Sequence, residues 1–329
     1  MPQERGILNK MSKKANKKKK KRSQAPIALV YFAALCLCLV VVGALVLTVF
    51  QKFDILSLGK NDSEAYEGYT SDDCTTILFA RINSKNVLHE MLVYRLDPTK
   101  DKIFLVPVTP YMVDDSTGKT LKQTLDGGNM QQLTDAVSRC LGVDINYYMT
   151  ISNGSFDSIC DQFGGYTYTA NEDLYYLSGD KDTEKNDVTI KKGSTLNLMG
   201  RQIRLILTYP VFEEGKQGNI RFMASAFETM VASAFALPDQ TKDSLDVIYN
   251  LAKKKSDTNY TADDYRKMKN VLVEMLGRGV TPAMSMTPTG SWDADELKFT
   301  LDASFRDEVI KQFTPQVMAK KKTDSSGQN

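Results

Sequence analysis

The longest apolar stretch of the chain runs from Pro26 to Phe50, and it constrains how everything else can be arranged. It reads PIALVYFAALCLCLVVVGALVLTVF, and no charged residue lies between Arg22 and Lys52. About 20 apolar residues are enough for a helix to cross the hydrocarbon core of a bilayer. We therefore predict one transmembrane helix over residues 25–50.

The charges that flank this stretch predict its orientation. Residues 1–22 hold ten Lys and Arg residues against Glu4, which gives this segment a net charge of +9. Because the whole chain has a net charge of +2, the remainder carries −7. Positive charge resists translocation across the membrane. We expect a single-pass protein of the cell membrane, with residues 1–24 as a basic cytoplasmic tail and the main domain extracellular.

Three other interpretations of this region are less consistent with the sequence. The apolar core is longer than the roughly 7–15 residues of a cleaved signal peptide, and Val46, Leu47 and Phe50 form a poor cleavage site. A buried core helix rarely has such one-sided flanking charge. The run KKANKKKKKR resembles a nucleic-acid patch, but it borders the apolar stretch and has no aromatic residue for base stacking. The membrane is thus an expected partner, and nucleic acid is not.

The remaining chain divides by composition into three parts. Residues 51–74 contain Gly, Ser, Asn and acidic residues and predict an extracellular stalk. Residues 75–315 alternate β-branched apolar runs with segments of helical periodicity, and residues 316–329 are a polar tail. This alternation predicts the α/β (α+β) fold class, in which helices flank a central mixed β-sheet.

Local signals predict several individual elements. The DPTK sequence at residues 97–100 lies between two apolar runs and predicts a β-hairpin. Asn129 and Thr261 are predicted helix N-caps. Residues 111–128 are predicted as a loop, and the segment from Leu198 to Pro210 as a helix that the proline ends.

Cysteine and histidine are too few to define a site. Cys74, Cys140 and Cys160 lie beyond the apolar stretch; a Cys140–Cys160 bridge is compatible with the sequence but nothing in it requires one. There is no CxxC motif, and His89 is the single histidine. We predict no metal site of the histidine or cysteine type.

Six segments carry a resemblance to a known family. They are similar, in order and spacing, to family stretches of the type LLLGxD, SDTMMLVSINP, SIPRDTYV, LGGVTV, LNGEQALAYVR and DxxRxxRQ, and they lie at Leu78–Asn83, Leu88–Pro98, Leu105–Met112, Phe163–Tyr168, Leu198–Thr208 and Gly215–Phe222. On these segments the chain resembles the LytR-CpsA-Psr family of Gram-positive cell-envelope proteins over about residues 75–315.

The resemblance implies a function in cell-wall biogenesis. Members of this family are implicated in moving a glycopolymer from a polyprenyl pyrophosphate carrier onto peptidoglycan. That chemistry needs carboxylates to hold Mg²⁺ against the pyrophosphate and arginines to clamp the phosphate oxygens. Positioned charge of this kind supplies most of the stabilisation of a phosphoryl transition state.

The chain departs from the family where those charges are expected. The charged positions of the motifs fall on Asn83, His89, Val108, Thr109, Thr208, Gly215 and Gly218, whereas the last arginine of DxxRxxRQ is kept as Arg221. Loss of one oxyanion-stabilising donor alone costs about 10²–10³ in rate. The sequence therefore predicts a retained scaffold without a catalytic residue or a cofactor, and Mg²⁺ only if the chain is an enzyme after all.

Other residues are candidates for a remaining binding function. Phosphate-binding candidates are Arg221, Arg204 and Arg81, against the alternative of ordinary surface solvation. The helix after the arginine segment supplies candidates for a lipid groove, against the alternative of ordinary core packing: Phe222, Met223, Phe227 and Met230.

Three hypotheses follow. The first is a non-catalytic pseudoenzyme that binds a polyprenyl-phosphate-linked glycan, a cell-wall glycan or a paralogous envelope protein. The second is a Mg²⁺-dependent phosphotransferase with relocated arginines. The third, a transcriptional attenuator, is disfavoured because residues 1–24 contain no helix-turn-helix.

Overall fold

The computed structural model describes residues 68–177, 187–209 and 212–316, all within one compact unit that spans residues 63–329. The predicted cytoplasmic tail, the transmembrane helix over residues 25–50, most of the stalk and nearly all of the polar tail lie outside the described residues. Among the residues described, no helix is both long and apolar enough to cross a membrane.

A short 3-10 helix, Ser71–Asp73, leads into the fold. The elements that follow are, in chain order, β1 (Thr75–Ile82), β2 (Leu88–Asp97), β3 (Lys102–Val108), β4 (Val113–Asp114), β5 (Lys119–Thr120), α1 (Leu121–Asp126), α2 (Met130–Leu141), β6 (Tyr147–Ile151), α3 (Asn153–Gln162), β7 (Tyr166–Thr169), β8 (Leu174–Tyr176), β9 (Val188–Ile190), β10 (Thr195–Leu198), α4 (Gly200–Thr208), α5 (Lys216–Ala236), α6 (Pro238–Lys253), α7 (Ala262–Arg278), β11 (Ala283–Ser285), β12 (Gly290–Trp292), β13 (Phe299–Leu301) and α8 (Ala303–Phe313).

A five-stranded sheet with the order β11–β3–β2–β1–β6 forms the centre of the fold. The pairs β1–β2 and β2–β3 are antiparallel. Strand β6 joins β1 in parallel, and β11 joins β3 in parallel. The sheet is therefore mixed and flanked by helices, which confirms the predicted fold class for the described part of the chain.

Each face of the sheet is covered by its own hydrophobic core, because alternate side chains of a strand point to opposite faces. Ile77, Leu92 and Leu105 pack with helices α3 to α7. Leu78 and Val93 pack with helices α1, α2 and α8. The sheet is thus the middle layer of a three-layer structure.

A bulge interrupts the pairing of β1 with β2. The register shifts between Ala80 and Ile82, so that His89 and Glu90 of β2 lie opposite Arg81 alone. A bulge of this kind re-aims the side chains beside it. It separates His89 from Glu90 and leaves Glu90 on the same face of the sheet as Arg81.

Several local predictions are confirmed. The DPTK turn joins β2 to β3. The side chains of Asn129 and Thr261 accept hydrogen bonds from the third backbone N–H of α2 and α7, and each forms a full capping box. Helix α2 ends at Gly142, which has the left-handed φ of 70° that favours glycine at this position.

Other local predictions are wrong. Residues 113–114 and 119–120 pair as β4 and β5, and α1 follows, so residues 111–128 are not one loop. Leu198 ends strand β10 instead of starting a helix, because this segment pairs with β7 before α4 begins at Gly200. Tertiary pairing has overridden helical periodicity here.

The cysteines of the described segments are free thiols. Cys160 lies in the core beside α3 to α7, and Cys140 packs against the core on the other face of the sheet. The sheet therefore separates the two residues for which a bridge was considered. Burial raises the pKa of both thiols, and that of Cys140 to about 12.

We expect Leu78→Ala to lower the free energy of unfolding by about 2–5 kcal/mol, because Leu78 is fully buried at the centre of the sheet and its truncation leaves a cavity. Urea denaturation measures the loss. Leu297→Ala is the matched control, since Leu297 is 54% exposed and its truncation should change stability by no more than about 0.5 kcal/mol. Equal effects of the two substitutions would contradict the assignment of the core.

Candidate functional site

Two cavities adjoin each other, one covered by α3 and by α5 to α7, and the other lined by residues from both faces of the sheet. One has a volume of about 230 Å³ and an almost wholly apolar wall; we call it the apolar cavity. The other, of about 430 Å³, has a mixed wall; we call it the polar pocket. Glu90 and Met223 line both, so the two cavities share a junction.

The wall of the apolar cavity combines the sheet with four helices. Strands β1, β2, β3 and β6 form its floor, and α3, α5, α6 and α7 close it. Its charged side chains are Arg81 and Glu90. At ~30 Å³ per water-sized unit, its volume corresponds to roughly eight such units. An apolar cavity of this size favours a hydrocarbon chain over a polar ligand.

Arg81 and Glu90 form a buried, bidentate ion pair at the junction. Arg81 Nε donates to Glu90 Oε2 at 2.6 Å, and Arg81 Nη2 donates to Glu90 Oε1 at 2.9 Å. The side chains are 3% and 14% exposed. Arg81 also donates to Asn153 Oδ1 at 2.6 Å and to Thr208 Oγ1 at 2.9 Å. The guanidinium group is therefore occupied by partners from three other elements.

The other two arginine candidates are also paired, and neither lines a cavity. Arg204 of α4 donates to both carboxylate oxygens of Asp157 in α3, at 2.6 and 3.0 Å. Arg221 is about half exposed and pairs with Glu214. The structure thus brings Arg81 to the junction and leaves Arg204 and Arg221 outside both cavities.

His89 lies on the wall of the polar pocket and is neutral in this setting. The Oδ1 atom of Asn83 accepts the backbone N–H groups of Lys85 and Val87, at 2.8 and 3.0 Å. The amide nitrogen of Asn83 therefore faces His89 Nε2, at 3.1 Å, and donates to it. Burial, reinforced by the nearby Arg81, lowers the pKa of His89.

The remaining motif positions hold no charge. Val108 is 1% exposed and packs in the core on the α1, α2 and α8 side of the sheet, and Thr109 is also buried. Thr208 accepts from Arg81 and donates to the carbonyl oxygen of Arg204 at 2.7 Å. Val108, Thr109 and Thr208 all line the polar pocket.

Neither glycine at a charged family position has room for a side chain. A Cβ atom on Gly218 would lie 2.4 Å from the Cβ of Phe212, and one on Gly215 would lie 2.0 Å from Glu296 Oε1. Gly215 also has a φ of 58°, which L side chains rarely adopt. Packing against Phe212 therefore disfavours a side chain at Gly218, and the backbone conformation disfavours one at Gly215.

Sequence reasoning missed several polar residues of the pocket. Lys122, Tyr111, Lys216 and Asn219 line it. Lys216 Nζ donates to the carbonyl oxygen of Glu296 and lies 3.9 Å from the centroid of the Tyr111 ring. Burial lowers the pKa of Lys216. A usable signal was the spacing of Lys216, Asn219 and Met223, which places them on one face of α5.

One buried atom of this pocket lacks a partner. Asn219 Nδ2 donates to the carbonyl oxygen of Ile206 at 2.9 Å, whereas Asn219 Oδ1 accepts no hydrogen bond from the described residues although it is inaccessible to solvent. An unsatisfied buried acceptor costs about 1–3 kcal/mol.

The junction does not fit a Mg²⁺ site. Mg²⁺ requires hard oxygen ligands in octahedral geometry. The one carboxylate on the polar-pocket wall is Glu90, and both of its oxygens accept from Arg81. Among the described residues no group of three or more His, Cys, Asp or Glu side chains is arranged to hold a metal ion.

The four lipid-groove candidates have different surroundings. Met223 and Phe227 line the apolar cavity. Phe222 packs edge-on against Tyr166 and Tyr168, at centroid distances of 5.6 and 5.2 Å. Met230 is buried in the same core. The structure therefore brings two of the four to the cavity wall and uses the other two in packing.

Comparison with known proteins places this fold in a family. The family model LytR_cpsA_psr matches residues 9–209, more than half of the chain. The chain belongs to the LytR-CpsA-Psr family. No curated protein matches it.

Solved structures with the same fold are distant in sequence. A candidate transcription regulator from Eubacterium siraeum is 19% identical, with a TM-score of 0.63 over 77% of this chain and 96% of that one. A LytR-Csp2A-Psr enzyme from Actinomyces oris is 13% identical, with a TM-score of 0.54 over 72% and 89%. TagT, solved bound to LIIa-WTA, is 12% identical, with a TM-score of 0.53 over 78% and 95%. At these identities the likeness establishes the fold alone.

We expect Asn83→Asp to raise the pKa of His89 above its usual value of about 6.5, because a carboxylate would replace the amide that donates to Nε2. In the native protein His89 has a lowered pKa, so the unfolded state binds a proton more readily. The His89 contribution to stability is therefore full above pH ~6.5 and is lost as the pH falls.

His89 is the single histidine of the chain, so its ring signals in an NMR titration are unambiguous. Asn83→Asp should reverse the sign of the pH dependence that His89 contributes. An unchanged pKa of His89 in this variant would contradict the assigned contact.

We expect Gly218→Ala to lower the free energy of unfolding by about 1–3 kcal/mol, because its Cβ would overlap Phe212. Gly277→Ala is the matched control. Gly277 also lies in a helix but has no atom within 4 Å of the added Cβ, so alanine should stabilise by up to about 1 kcal/mol. Thermal unfolding of both variants measures the difference, and stabilisation by both would contradict the close packing at Gly218.

Proposed function

We propose that this protein is a non-catalytic, lipid-binding member of the LytR-CpsA-Psr family that acts at the cell envelope, anchored by a membrane span at residues 25–50. The observation that carries the proposal is the ion pair between Arg81 and Glu90. It lies where the apolar cavity meets the polar pocket, and it occupies the arginine that would otherwise clamp a phosphate.

The apolar cavity supports the lipid part of the proposal. Its wall is continuous from the sheet to α7, and its charged residues lie at one end, beside the polar pocket. This arrangement suits a polyprenyl chain whose head reaches the polar pocket. Burial of each methylene contributes about 0.8 kcal/mol, so burial of the chain supplies the favourable free energy that opposes the cost of association.

The charge distribution supports the non-catalytic part. Phosphoryl transfer needs unpaired cations or a metal at the transferred group. Here Arg81 donates four of its five N–H groups to Glu90, Asn153 and Thr208. His89 is neutral, and the carboxylates that would hold Mg²⁺ are absent from the pocket wall or paired. Lys122, which lines the polar pocket, is the residue that keeps the phosphotransferase alternative testable.

We expect Ala252→Phe to weaken the binding of geraniol at least tenfold, because Ala252 lines the apolar cavity and a phenyl ring there would take up space that the ligand needs. The full-length chain, held in amphipol, is titrated by calorimetry against a protein-free blank. Val247→Phe is the matched control on the same helix, since Val247 is 46% exposed and does not line the cavity.

Binding of geranyl pyrophosphate should also be the same in Mg²⁺ and in EDTA. Equal binding of geraniol by Ala252→Phe and the wild type would refute the lipid site. Binding that Mg²⁺ strengthens would favour the phosphotransferase alternative instead.

A further inference from the structure

The polar pocket presents hydrogen-bond acceptors where the head of a bound lipid would lie. Glu90 contributes a carboxylate at the junction, and Asn219 contributes a buried Oδ1 atom with no donor among the described residues. Both line the same pocket. Each carboxylate oxygen of Glu90 keeps one lone pair beyond its bond from Arg81, so the junction favours a ligand group that donates a hydrogen bond.

A phosphate group has the opposite chemistry. Near pH 7 it carries a charge of about −1.5 to −2 and acts mainly as an acceptor. Beside Glu90 it meets like charge, and to reach Arg81 it must displace a carboxylate that makes two hydrogen bonds of 2.6 and 2.9 Å to that guanidinium. Arg81 is further held by Asn153 and Thr208.

We propose that Glu90 acts as a built-in competitor for the anion site on Arg81, so that the cavity selects a lipid whose head is an uncharged hydroxyl donor over one whose head is a phosphate. This inference rests on the proposed function and narrows it from lipids in general to one head-group class. Glu90 is thereby a specificity-determining residue of the junction.

Three probes with one chain and different heads test the inference. Geraniol donates a hydrogen bond, geranyl methyl ether donates none, and geranyl monophosphate is anionic. The wild type should bind geraniol about as tightly as geranyl monophosphate or more tightly, and about tenfold more tightly than the ether. The readout is the ratio of dissociation constants within one variant, which cancels partition of the shared chain into amphipol.

Glu90→Gln should raise the preference for geranyl monophosphate over geraniol at least tenfold, because it leaves the charge of Arg81 uncompensated. Asp157→Asn makes the same carboxylate-to-amide change on the Arg204 pair, which lines neither cavity, and should leave that ratio unchanged. The combined variant Arg81→Gln and Glu90→Gln has no charge at the junction and should keep the wild-type ratio.

Each outcome decides. A wild type that binds geranyl monophosphate tenfold more tightly than geraniol overturns the inference, and Lys122 would cause that result if it held the anion. An unchanged ratio in Glu90→Gln also overturns it. So does equal binding of the ether and the alcohol. If Glu90→Gln does not fold, the combined variant replaces it, and a ratio there that differs tenfold from the wild-type ratio overturns the inference. Binding of none of the three probes refutes the proposed function as well, whereas binding without the predicted selectivity refutes this inference alone.

Discussion

The ion pair between Arg81 and Glu90 is the interaction on which the architecture of this site depends. Two charges removed from water have a desolvation cost of several kcal/mol each, so such a pair persists only with close geometry and further hydrogen bonds. Asn153 and Thr208 supply those bonds, and the β1–β2 bulge places Glu90 opposite Arg81. Strands β1 and β2 and helices α3 and α4 are therefore held together at one point, between an apolar cavity and a polar pocket.

The same pair links the fold to its chemistry. The central sheet, covered on both faces, gives the cavity an apolar floor. The bulge places the ion pair between Arg81 and Glu90 at the edge of that cavity. The other charged positions of the family motifs hold an uncharged residue, as at Gly215 and Gly218, or an arginine that is already paired, as at Arg221. The fold of the LytR-CpsA-Psr family is retained, whereas most of the charged side chains at these motif positions are not.

The sequence predicts the fold better than it predicts the site, and particular residues show why. Asn129 and Thr261 cap their helices through contacts within three residues, which a local pattern reveals. The Leu198 segment was assigned to a helix because its pairing with β7 is a long-range contact. The pairing of Arg81 with Glu90 depends on a shift in strand register that the alternation of residues along a strand does not reveal. The lack of a hydrogen-bond donor for Asn219 Oδ1 results from tertiary packing, which the sequence does not reveal.

We propose that this scaffold binds a prenyl lipid and catalyses no phosphoryl transfer. Phosphorus NMR of the full-length protein with geranyl pyrophosphate and Mg²⁺, followed over many hours at stoichiometric concentration, tests it most directly. We predict that both phosphorus signals of the pyrophosphate persist and that no monophosphate appears. Release of phosphate that depends on Mg²⁺ and disappears in Lys122→Met would contradict the account and show that relocated charge sustains catalysis.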